Sequence, residues 1–256
     1  MALFDKSSNP TLKESIFEKT SQDAAYSGVM TVGGTVTKTF LLLGMTVLAG
    51  AYTWKMVYGA IDQASVMPWM WGGLIAGFVL ALIISFAPKT APYLSLFYAV
   101  AEGFFLGAIS GLFETMFADK FPGIVITAVG ITMLTMFVML FLYQARIIRV
   151  TEKFRSVIII ATVSVFAFYL ISIALRLFGV DVGPLHGSSL LSIGISIVIV
   201  VIAALNLLLD FDFIEKGAEA RAPKYLEWYA AFGLMVTLIW LYLEILKLLA
   251  KISSRN

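Results

Sequence analysis

Residues 190–209 read LLSIGISIVIVVIAALNLLL, and they run directly into Asp210-Phe211-Asp212-Phe213-Ile214-Glu215-Lys216-Gly217. A second apolar run follows at 226–250 and carries Glu244 inside TLIWLYLEILKLLA. Each run is long enough to cross a bilayer core, which takes about 20 helical residues. Together they form a helical hairpin, with acids at its turn and one acid deep in its second arm. Ionisable side chains are expensive in a membrane-length segment, so these acids mark the first place to look for function.

Composition extends that reading to the whole chain. Of 256 residues, 60% are hydrophobic and only 13% charged, and the mean hydropathy is +0.94. A soluble domain would carry about 25% charged residues. The net charge of +2 gives no footprint for nucleic acid, and the absence of Cys removes disulfides, thiol catalysis and cysteine-ligated metal. The single His186 cannot build a histidine metal site alone. No phosphate loop, zinc-protease helix or nucleophile elbow is present, so an enzyme is not expected and no cofactor is required.

Seven apolar runs are expected as membrane helices: 39–58, 67–87, 93–117, 121–143, 156–178, 189–209 and 226–250. The fold class is an all-α membrane protein. Residues 1–37 form a polar N-terminal arm with no signal-type apolar run, and Thr11–Glu14 has capping-box spacing for a short helix. Residues 38–256 form the seven-span domain. Pro88 and Pro92 break the chain after the second run, the stretch 179–184 carries turn residues, and the third and fourth runs are joined by a short link at 118–120. Twelve of the 18 basic residues fall on the N-terminal side, which favours a cytoplasmic N-terminus. With seven spans the C-terminus is then outside, unless the last run dips in and returns. Gly103, Gly107 and Gly111 share one face of the third span, where a neighbouring helix can approach closely.

Four acids stand out. Glu102 lies well inside the third span, where it is either hydrogen-bonded to a neighbouring helix or part of an ionic path. Asp210 and Asp212 sit at the end of the sixth span, with Asn206 one turn before Asp210. This oxygen-rich group suits a calcium ion or a proton-linked carboxylate pair, and it also reads as an ordinary hydrated helix end. Glu244 shares a stripe with Thr237, Trp240 and Lys247. If the turn centres near Ala218, Asp210 is level with Glu227, and Glu244 lies about 25 Å farther along at ~1.5 Å per residue. An Asp210–Glu244 contact then requires an irregular hairpin between Glu215 and Tyr229. With straight arms, Asp210 is expected to pair with Glu227, and Glu102 becomes the first candidate partner for Glu244.

The segments Leu209–Glu215, Glu227–Gly233 and Leu241–Leu249, with Glu102-Gly103 and Asn9-Pro10, resemble the Bax inhibitor family, specifically its bacterial YccA-like branch. The resemblance covers essentially the whole chain. It implies a seven-helix bundle with the last helix central, and a pH-sensitive calcium leak of the bacterial inner membrane gated by a carboxylate pair in the last two helices. Carried over residue by residue, the pair falls on Asp210, with Asp212 as near alternative, and on Glu244, where better-studied members have Asp. A basic residue before the third span matches Lys89 only loosely, and no role is carried onto it. Calcium is the expected permeant or bound ion, and membrane lipid surrounds the chain. A regulator that binds a membrane protease or a stress or cell-death partner is the competing expectation.

Overall fold

The computed structural model describes residues 28–59, 63–179 and 187–255. Most of the arm, including the Thr11–Glu14 cap, lies outside the described residues, as do Asp181, Pro184 and His186. Seven helices follow in order: α1 (Val32–Gly59), α2 (Met67–Phe86), α3 (Ala91–Met116), α4 (Ile124–Gln144), α5 (Glu152–Leu177), α6 (Leu190–Glu219) and α7 (Leu226–Arg255). All seven are long and apolar enough to cross a membrane. We call the end of the bundle holding residue 28 the N-face and the end holding Arg255 the C-face.

The breaks between helices have local causes. Ala87 leaves helical geometry (φ −131°, ψ 72°) ahead of Pro88, and α3 restarts with Pro92 in its first turn. The α3–α4 link is closed by Glu114, whose carboxylate accepts from Gly123 N at 2.6 Å and Val125 N at 3.0 Å. A negative group thereby meets the unpaired N–H groups and positive dipole end of α4. Thr151 and Ser189 cap α5 and α6 with side-chain oxygens that accept from Phe154 N and Ser192 N.

α7 is the axis of the bundle. Buried residues make up 61% of its apolar window, against 17% for α4 and for α5. It packs on α1, α3, α4 and α6, while α2 packs on α3, and α5 mainly on α6. Leu207, Leu208, Leu238, Leu241 and Leu246 form the middle of the largest core cluster. α7 is continuous from Leu226 to Arg255, so the last run crosses once and does not turn back.

Two expectations need correction. α1 begins at Val32, ahead of the apolar run at 39. More consequentially, α6 does not end at Leu209 but continues to Glu219, so Asp210, Asp212, Glu215 and Gly217 are helical. The helix survives this charged stretch because the acids find cations: Asp212 pairs with Lys216 at 2.8 Å one turn on, and Glu215 with Arg146 at 2.6 Å.

The glycine face of α3 packs against α1. A Cβ at Gly103 would lie 2.6 Å from Ala49 Cβ, and one at Gly111 would lie 2.9 Å from Val57 Cγ2. Gly107 sits against the Gly50 carbonyl, while Gly130 on α4 faces open space. Gly107→Leu should therefore destabilise the folded chain by about 1–3 kcal/mol through overpacking, and Gly130→Ala should not. Thermal unfolding of both variants in detergent checks this.

Candidate functional site

Three carboxylates of the α6–α7 pair, Glu227, Asp210 and Glu244, are each handled differently. Glu227, in the first turn of α7, is fully buried. It accepts hydrogen bonds from Thr31 N and Thr31 Oγ1, both at 2.9 Å, and from Lys224 Nζ at 2.8 Å, and it pairs with Lys38. Gly34 leaves the space that this carboxyl occupies. The chain entering α1 is also stitched to the α6–α7 turn through its backbone: Met30 N donates to Ala222 O at 2.7 Å, and Lys224 N donates to Gly28 O at 3.1 Å. Glu227 thus ties the start of α1 to the start of the central helix.

Asp210 lies deeper. The Thr237 hydroxyl lies against its carboxyl, and the same hydroxyl reaches the Gly233 carbonyl at 3.3 Å. A single hydroxyl hydrogen can serve only one of these acceptors at a time. Asp210 Oδ2 is buried and has no hydrogen-bond partner among the described residues. The carboxyl lines a cavity of about 800 Å³ that also meets Ser85, Arg155, Lys216 and Tyr229.

The group expected around Asp210 does not converge. Asp212, two residues on, points away and is held by Arg155 at 2.6 Å and Lys216 at 2.8 Å. Asn206 gives its amide to Thr162 Oγ1 and Ile202 O, both at 2.8 Å. Among the described residues no three His, Cys, Asp or Glu side chains gather as metal ligands. Asp210 and Asp212 therefore have separate surroundings: two cations hold the second carboxylate and none pairs with the first among the described residues.

Glu244 is 1% exposed. Its two oxygens accept from the Tyr169 hydroxyl, at 2.9 and 2.8 Å, and Lys247 Nζ lies 2.9 Å from Oε1. Lys247 also stands 4.9 Å above the Tyr169 ring, so acid, cation and ring form a closed triad. The triad borders a second cavity, of about 600 Å³, toward the C-face.

Asp210 and Glu244 do not touch, and neither reaches the alternative partner expected for it. Glu227 is taken by Thr31, Lys38 and Lys224, not Asp210. Glu102, buried on α3, hydrogen-bonds with Tyr98 one turn earlier and fills the space left by Gly77. The hairpin is regular, but its turn falls at Ala220–Tyr225 rather than near Ala218. This shift brings Asp210 level with Gly233 and Thr237. Glu244 then lies seven residues beyond Thr237, about 10 Å at ~1.5 Å per residue. Leu207, Leu238 and Leu241, all 2% exposed or less, fill that interval.

Several working residues carried no sequence signal. Tyr169 sits in a featureless apolar run. Thr31 and Lys38 meet Glu227 from 196 and 189 residues away. Breaking the fully buried Glu227 cluster should be costly: Glu227→Gln is expected to lose about 3–5 kcal/mol, because Lys38 is left without its counter-charge. Lys216→Gln removes a half-exposed ion pair and should cost about 1 kcal/mol or less. Comparing unfolding midpoints of the two variants checks the contrast.

Against known proteins, a family model described as Bax inhibitor 1 like matches residues 9–254. No curated protein and no solved structure matches the chain. The family match spans all seven helices, and the chain belongs to the Bax inhibitor 1 like family.

Proposed function

We propose that this multi-pass protein is a pH-sensitive cation leak of the bacterial inner membrane, with its N-terminus cytoplasmic and calcium as permeant ion. One observation carries the reading. Two carboxylates of the α6–α7 pair, the half-buried Asp210 and the buried Glu244, border separate cavities with an apolar layer of leucines between them. Such an arrangement is a closed two-ended path, with an oxygen ligand for a hard cation at each end. Twelve basic residues on the N-terminal side support the orientation.

The two acids take different parts. Asp210, with an unpartnered oxygen, is the attracting group at the N-face cavity. Glu244 is the gate. As a carboxylate it holds Lys247 and Tyr169 together, and through them it holds α7 against α5. Protonation removes the charge that Lys247 answers and loosens this contact, so acid favours movement of α7 and opening of the leucine layer. Gating thus belongs to the Glu244 triad rather than to a touching pair, and Asp212, bound to Arg155 and Lys216, supports the helix.

A second reading, a regulator of a membrane protease or stress partner without transport, draws on the cations around Glu244. Lys247, Lys251 and Arg176 line its cavity and would oppose a passing cation. Calcium flux into proteoliposomes separates the two. Wild type should conduct more as pH falls, and Glu244→Gln should conduct at neutral pH with a flattened pH response. Asp210→Asn should conduct less at every pH. Wild-type flux no greater than empty liposomes at any pH would leave the regulator reading.

A further inference from the structure

Among the described residues, the cavity beside Glu244 carries more positive charge than its acid can answer. Lys247, Lys251 and Arg176 line it, and Glu244 is the carboxylate among the described residues that line it. Lys247 is spent on that carboxylate and on the Tyr169 ring. Lys251 is half-buried and has only neutral acceptors among the described residues, Ser196 Oγ at 2.8 Å and the Ser192 carbonyl at 3.4 Å. Arg176 stands exposed at the end of α5 without a carboxylate partner among the described residues. Removing a cation from water without a counter-ion is unfavourable, and an entering anion answers that deficit.

We infer that this C-face cavity is a binding site for a phosphate-bearing anion, with Lys251 and Arg176 as its charged ligands. The volume of about 600 Å³ exceeds a bare ion and admits a headgroup. Phe113, Met116 and Ile173 add apolar lining, and Met116 and Ile173 present most of their surface outward. Cations together with outward-facing carbon match a phosphate ester that carries a hydrocarbon tail. Basic pockets between helices at headgroup depth bind lipid phosphates by this chemistry. The cavity is the one that ends the proposed path at the C-face, but lipid binding is read without flux, so failure of either reading is distinguishable from failure of the other.

The test uses the full chain in detergent, titrated with phosphatidylglycerol and read by native mass spectrometry, with inorganic phosphate as competitor. Lys251→Gln and Arg176→Gln should each weaken lipid binding about tenfold, the loss of one charge-assisted contact, and Lys251→Arg should retain it. Lys55→Gln and Lys120→Gln, exposed and outside the cavity, should bind as wild type does. Unfolding midpoints of all variants confirm that they fold. Displacement of the lipid by inorganic phosphate would identify the free ion as a sufficient ligand, and failure to displace it would assign the lipid; both keep the site. Equal weakening in the cavity and control variants, or no weakening in the cavity variants, would overturn it.

Discussion

Enclosing α7 within the bundle forces every acid it carries to find a partner on another helix or in a cavity. Glu227 and Glu244 are both 1% exposed or less, so side chains answer most of their charge. Glu227 is answered from α1 and from the turn before α7. Glu244 is answered by Tyr169 of α5 and Lys247 of α7 itself. Much of the architecture follows from those two solutions. One fixes the N-face end of the central helix to the start of the chain, and the other fixes its C-face half to the outlying helix α5.

The two ends are not equally secure. At the N-face, two lysines and the hydroxyl and backbone N–H of Thr31 converge on one carboxylate, with backbone bonds alongside it. At the C-face, α5 packs mainly on α6, and its recorded polar link to α7 runs through the Tyr169 hydroxyl. In the proposed function, a proton at Glu244 acts on the weaker of two fastenings. Asp210 lies between them, beside a cavity and with one oxygen unpaired among the described residues.

The fold was legible in the sequence where hydropathy and breakers speak together. Seven runs, the Pro88/Pro92 break and the Gly103/Gly107/Gly111 face all follow from chain length, backbone restriction and small size. The end of α6 was not legible, because Asp210 to Gly217 has the composition of a turn. It is helical because Arg146, Arg155 and Lys216 neutralise Asp212 and Glu215, and two of those cations come from distant sequence. Moving the turn by a few residues changed which residues stand level across the hairpin. For that reason Asp210 and Glu227 were expected together and are found apart. Glu244 was visible as a charge in an apolar run, while its partner Tyr169 was one aromatic among many.

The leucine layer between Asp210 and Glu244 is the most direct place to look for a gate. The natural chain contains no cysteine, so Leu207→Cys gives a single thiol at a position with 0% exposure. Its labelling by a charged, water-soluble thiol reagent in liposomes can be measured against an exposed control, Glu219→Cys. A layer that opens when Glu244 takes up a proton predicts protection at neutral pH and labelling at acid pH, relative to the control. Protection that does not change with pH, in a protein that still conducts calcium, would contradict it.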